Sequence, residues 1–124
     1  VAWMDKLPVR PARPAMPPAP ARLAGPHFTE EALTFGEAGR LFGVVCEPAT
    51  AAPARPVVLI VNAGRNSHVG WARSGVQLAR ELAAQGIASL RMDLAGIGDG
   101  RDRPDGDDSL DSVLYNGAND AQMR

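Results

Sequence analysis

The sequence predicts an α/β fold in which a β-hairpin is followed by a βαβ unit of a mainly parallel sheet. Three observations carry this reading. Residues 32–35 and 41–46 are rich in β-formers and are separated by Gly36-Glu37-Ala38-Gly39, the pattern of a hairpin. Residues 57–61, Val-Val-Leu-Ile-Val, form a continuous apolar, β-branched run, as expected of a strand buried on both faces of a parallel sheet. Between this run and a second one at 87–94, apolar residues recur with a helical period.

The first 27 residues stand apart. Seven of the eleven prolines lie there, at positions 8, 11, 14, 17, 18, 20 and 26. Proline fixes φ and lacks an amide donor, so this stretch favours extended polyproline II and reads as a linker or tail. A PxxP ligand for an aromatic groove is the functional alternative. The domain proper is expected over 28–124. After the hairpin, residues 48–56 make an Ala/Pro spacer, and the strand near 57–62 stops at Asn62-Ala63-Gly64. A helix is predicted over 70–85, with Trp71, Gly75, Leu78, Ala79, Leu82 and Ala83 on its apolar side. Arg73, Gln77, Arg80, Glu81 and Ala84 fall on the other side, and Gly86 provides the stop. The second strand, 87–94, ends in Ala95-Gly96-Ile97-Gly98. Six aspartates between 99 and 111, interspersed with Arg101, Arg103, Pro104 and Gly106, mark a surface loop, and a short helix is expected to begin near Asn119.

Composition narrows the function. Thirteen Lys and Arg against fourteen Asp and Glu leave a net charge of −1, which argues against a nucleic-acid binder or a polybasic membrane-surface module. The lone cysteine, Cys46, excludes an intramolecular disulfide and a Cys-cluster zinc site, and a reducing, cytoplasmic setting is expected. No apolar run approaches the roughly 20 residues of a transmembrane helix, and the N-terminus lacks a signal-peptide pattern.

Several loops imitate phosphate sites and fail on spacing. Gly64-Arg-Asn-Ser-His-Val-Gly70 has no terminal Gly-Lys-Ser/Thr, and Gly96-Ile97-Gly98-Asp99-Gly100 opens no helix, so neither a P-loop nor a dinucleotide fingerprint is present. An EF-hand read onto Gly106 would place Arg101 and Arg103 at ligand positions. No metal and no cofactor are therefore expected. No serine lies in GxSxG and no catalytic triad can be assembled from the chain, so no catalytic residue is assigned. His68, in the loop before the helix, is either a substrate-loop residue or a hydrogen-bonding anchor of that loop.

Residues 32–124 resemble the N-terminal portion of an α/β-hydrolase. The resemblance rests on the hairpin FGEAGRLFGVVCEP, on VVLIVNAGRNSHVGWAR and on LARELAAQGIASLRMDLAGIGDG. The last is similar to the D-x-x-G-x-G-x-S turn that follows the fourth strand of that fold, with Asp93, Gly96 and Gly98 in place and Gly100 where serine is usual. Asn62-Ala63-Gly64, His68-Val69-Gly70 and Arg73 most resemble the serine aminopeptidase-like branch, in particular the bacterial exosortase A system-associated hydrolases. The resemblance implies a serine hydrolase acting on the ester, thioester or amide bond of a small acyl substrate. It implies that the backbone N–H of Gly64 or Arg65 contributes to the oxyanion hole. It places the nucleophile elbow, acid and histidine beyond residue 124, so this chain is expected to be an inactive N-terminal fragment. A sheet order of 1-2-4-3-5 would leave the strand at 57–62 with an open edge and a tendency to self-associate. The alternative is a non-catalytic binding or interaction module with a Pro-rich arm.

Overall fold

The computed structural model describes residues 21–50 and 56–101. They form a five-stranded mixed sheet with one α-helix packed on one face. The strands are β1 (Arg22–Ala24), β2 (Phe28–Phe35), β3 (Leu41–Pro48), β4 (Val58–Ile60) and β5 (Ser89–Asp93), and the helix α1 spans Ser74–Ala84.

The predicted hairpin forms and is longer than its β-rich centre: β2 and β3 pair antiparallel from Phe28 opposite Pro48 to Phe35 opposite Leu41. A single turn of 3-10 helix, Glu37–Gly39, closes it. The sheet also starts earlier than residue 28. Arg22–Ala24, inside the segment read as a Pro-rich linker, pairs antiparallel with Thr29–Glu31. The strand lies between Pro20 and Pro26, where proline content masked its β-forming potential. The remaining linker expectation (1–20), the central spacer (51–55), the bulk of the acidic loop and the expected helix near Asn119 lie outside the described residues.

The strands run in the order β1-β2-β3-β5-β4. Counted from the hairpin this is 1-2-4-3, the first four strands of the expected 1-2-4-3-5; no strand lies beyond β4 among the described residues. The expectation of a mainly parallel sheet needs correction, because only β4 and β5 pair in parallel, while β5 meets β3 antiparallel. The hairpin contributes three of the four ladders and imposes its own direction on them. A second correction concerns β4. A continuous apolar run suggested burial on both faces, yet β4 is an edge strand whose Leu59 is 49% exposed, flanked by exposed Val57 and Val61. Hydrophobicity reports what a strand tolerates as neighbours; among the described residues, none covers that face or that edge.

Helix α1 crosses from β4 to β5 and covers one face of the sheet. Its buried stripe is Gly75, Val76, Ala79 and Ala83, packed on Cys46 with Phe28 and Ile60 at the margin. The predicted stripe was rotated: Trp71 and Leu78 are exposed and Val76 is buried. Helical periodicity fixes the spacing of a stripe, but small residues can take the contact face when a helix lies close to a sheet. Gly75 shows how close, since a Cβ there would sit 2.7 Å from the His68 carbonyl oxygen.

Arg80 is also not on the solvent side as expected. It donates from Nε and Nη2 to the two oxygens of Glu30, at 3.2 and 2.7 Å, and lies 4.5 Å over the Phe28 ring. Glu30 is buried and takes a second guanidinium, Arg91, whose Nη2 is 3.1 Å from Oε1. One carboxylate thus ties β2 to α1 and β5. The hydrogen bond with Glu30 raises the affinity of Arg80 for its proton, whereas burial lowers that of Arg91 despite Glu30 beside it. Arg91 Nε is buried with no partner among the described residues, a measure of how tightly this network is enclosed. No helix among the described residues is long and apolar enough to cross a membrane.

Candidate functional site

The site begins where β4 and β5 end, side by side and in parallel, so that both following loops leave from one edge of the sheet. Strand ends arranged in this way place loop backbone over a crevice, which is where open α/β sheets build ligand sites. Asn62 lies two residues beyond β4, and Asp93 is the last residue of β5. The Asn62 amide donates to Asp93 Oδ1 at 2.8 Å and to the Asn66 carbonyl at 2.7 Å, and its oxygen accepts the Leu94 N–H at 2.9 Å. A single side chain therefore fastens its own loop to the neighbouring strand.

Asp93 is fully buried and is the hub of the site. Oδ1 accepts Asn62 Nδ2 and the His68 backbone N–H; Oδ2 accepts the Asp99 N–H at 3.1 Å and lies 2.7 Å from His68 Nδ1. Burial alone would raise its pKa, but the hydrogen bonds from His68, Asp99 and Asn62 outweigh that and hold it below the usual carboxylate range. The glycine turn after β5 is shaped around this carboxylate. Gly98 has φ +56°, and a Cβ there would lie 2.3 Å from Asp93 Oδ2. At Gly100 a Cβ would meet the Leu94 carbonyl oxygen at 2.3 Å, so this turn has no room for a side chain there either.

His68 is placed by the same hub. Its imidazole is mostly buried, packs against Phe42 at 5.1 Å between ring centroids, and commits Nδ1 to Asp93. With an ionised Asp93, Nδ1 carries the proton. His68 also lines the cleft described below, but its polar contacts are those of a loop anchor.

His68, Asp93 and Asp99 bring ligand-type atoms within 4.8 Å of one another. Both Asp93 oxygens already accept N–H donors, and a cation between them would face the His68 and Asp99 amide protons. The arrangement is that of a hydrogen-bonded hub.

Gly64 and Arg65 occupy the exposed tip of the loop, closed by an Asn66 N–H to Ala63 carbonyl bond of 3.3 Å. Gly64 has φ +61° with open space around its α-carbon. Among the described residues neither its N–H nor that of Arg65 has a hydrogen-bond partner. Below the tip, between β4 and the start of α1, lies a mainly apolar cleft of about 370 Å3, lined among others by Ile60, Ala63, His68, Trp71 and Leu78. The helix is entered through a 3-10 turn, Trp71–Arg73, in which Ala72 and Arg73 both adopt positive φ, leaving Trp71 82% exposed.

The structure thus gathers all three candidates, Gly64, Arg65 and His68, in one loop. Sequence reasoning missed the roles of Asn62 and Asp93 as clamp and hub. The signal was available in part: two polar residues each terminate an apolar strand, and parallel neighbours bring such ends together. Chain comparisons add no relatives: no family model, no curated protein and no solved structure matches this chain.

Proposed function

We propose that this chain is the N-terminal part of a serine hydrolase acting on an ester, thioester or amide bond, and that it supplies the oxyanion-binding loop of that enzyme. The observation that carries the reading is the loop at the carboxyl end of β4. Asn62 and Asp93 hold it in place, while the N–H groups of Gly64 and Arg65 at its tip have no hydrogen-bond partner among the described residues. Fixed donors of this kind stabilise the negative oxygen of a tetrahedral intermediate without reorganising, a contribution of about 3 kcal/mol per donor. The order of hairpin, β5 and β4 supports the same reading, because it is the one the resemblance implies. His68 serves here as the anchor of the loop through Asp93. The chain carries no GxSxG serine, so on this reading it binds an acyl oxygen at most and turns over nothing.

A fluorophosphonate probe tests the proposal. The 124-residue chain is expected to remain unlabelled, and the protein expressed from its uninterrupted reading frame to be labelled at one serine. Failure of that longer protein to label would overturn the enzyme reading. It would favour the non-catalytic interaction module, for which the exposed apolar edge at β4 is the supporting observation.

A further inference from the structure

We infer that Nε2 of His68 binds the acyl group of the substrate, as the acceptor of a hydrogen bond from an O–H or N–H on that group. The inference rests on the hydrolase reading and narrows its substrate class to acyl groups that carry such a donor.

The acceptor is made by Asp93, whose Oδ2 lies 2.7 Å from His68 Nδ1. Burial works against the charge of this carboxylate, and the hydrogen bonds from His68, Asp99 and Asn62 outweigh it, so it is ionised. An ionised carboxylate offers no proton. The shared proton therefore belongs to Nδ1, and the neutral ring keeps its lone pair on Nε2. The Asp99 carboxylate stands 3.8 Å from the same Nδ1 and adds to that preference. The ring is fixed as well as the tautomer, because Phe42 packs against it at a 54° tilt and the His68 backbone N–H is tied to Asp93 Oδ1.

Nε2 is left for a ligand. Among the described residues no donor meets it. It is not sealed in either, since the buried side-chain nitrogens and oxygens without a partner are Ser89 Oγ and Arg91 Nε. The small exposed part of the imidazole therefore includes Nε2, and His68 lines the cleft below the tip at Gly64 and Arg65. A carbonyl oxygen held at the tip directs its acyl chain into this cleft, whose walls are mainly apolar. An alkyl chain entering there strips water from Nε2 and returns nothing, whereas a chain with a hydroxyl restores the bond.

The test compares para-nitrophenyl esters of butyric, β-hydroxypropionic and methoxyacetic acid on the protein expressed from the uninterrupted reading frame. The three acyl chains are close in shape, and carry in turn no polar group, a hydroxyl, and an ether oxygen that can only accept. With kcat/KM normalised to the hydroxide hydrolysis of each ester, the hydroxy ester is expected to lead both others by about tenfold. Asp93→Asn supplies a readout that a purely structural role would not move. It lets the proton pass to Nε2, which turns the acceptor into a donor, so the methoxy ester is expected to rise to the level of the hydroxy ester. Any loss of loop stability slows all three alike and cancels in the ratio. On the 124-residue chain, nitrogen–proton correlation spectra of the imidazole in alkaline buffer are expected to show the proton of His68 on Nδ1. Equal normalised rates for the three esters, a preference that Asp93→Asn leaves intact, or a proton on Nε2 would overturn the inference and leave the hydrolase reading standing. A longer protein that hydrolyses none of the esters overturns both.

Discussion

Replacing Asp93 by Asn removes the charge at the hub while changing little in size. The carboxylate, itself fully buried, accepts three N–H donors and the His68 Nδ1 proton. The amide oxygen of Asn, in the Oδ1 position, can keep the bonds from Asn62 and the His68 backbone. The amide nitrogen would then face His68 Nδ1 and the Asp99 N–H. His68 can respond by moving its proton to Nε2, so that Nδ1 accepts, but a backbone N–H has no such freedom. The net loss is the acceptor of the Asp99 N–H and the charge-assisted part of the remaining bonds, about 2–4 kcal/mol together. Against a total stability of about 5–15 kcal/mol for a domain, that is a large fraction. Urea unfolding followed by far-UV circular dichroism measures the loss. Hydrogen exchange of the 62–70 amides reports whether it starts at the loop. A midpoint shift worth less than about 0.5 kcal/mol, with unchanged exchange at His68 and Asp99, would refute the assignment of Asp93 as hub.

Acid should act on the same residue. Its pKa is depressed in the folded state, so its contribution is fully present above the unfolded value and is lost as pH falls through the folded one. Loosening is therefore expected below about pH 4, and Asp93→Asn should flatten that part of the stability profile. Gly98→Ala combines a positive φ with a Cβ driven into the Asp93 carboxylate, and is expected to cost about 2–3 kcal/mol in urea unfolding; a neutral result would show that the turn can relax. Glu30→Ala strands the buried Arg91 guanidinium and should cost about 3–5 kcal/mol, whereas Arg80→Met, at a partly exposed position, should cost about 1 kcal/mol or less; equal effects would contradict the network as described. Burial raises the pKa of the Cys46 thiol and closes it to solvent, so Ellman's reagent should react with it only in denaturant, and rapid reaction in buffer would show the core beneath α1 to be open.

The hairpin, the helix and the two strands after it were legible in the sequence because each is a local pattern: alternation broken by glycines, a continuous β-branched run, a helical period ended by Gly86. The order of the hairpin and the two strands after it was anticipated only through the resemblance; the described sheet has the 1-2-4-3 part of the expected 1-2-4-3-5, with β1 added before it. What escaped was decided by distance between segments. Arg22–Ala24 is a strand because β2 offers it a partner, and nothing local overcomes the prolines around it. Leu78 and Trp71 face outward because α1 approaches the sheet closely enough to prefer Gly75, Ala79 and Ala83 at the contact. Arg80 left the solvent face for a carboxylate fifty residues away in the chain. The loop holding Gly64, Arg65 and His68 could be found from its position after an apolar strand. That Asp93 would hold it depended on the parallel pairing of β4 and β5, which sets Asn62 and Asp93 side by side. A carboxylate at the end of one strand says nothing about which donors will reach it. Only the tertiary structure, by bringing four of them around a buried carboxylate, turned Asp93 from the end of a strand into the hub of the site.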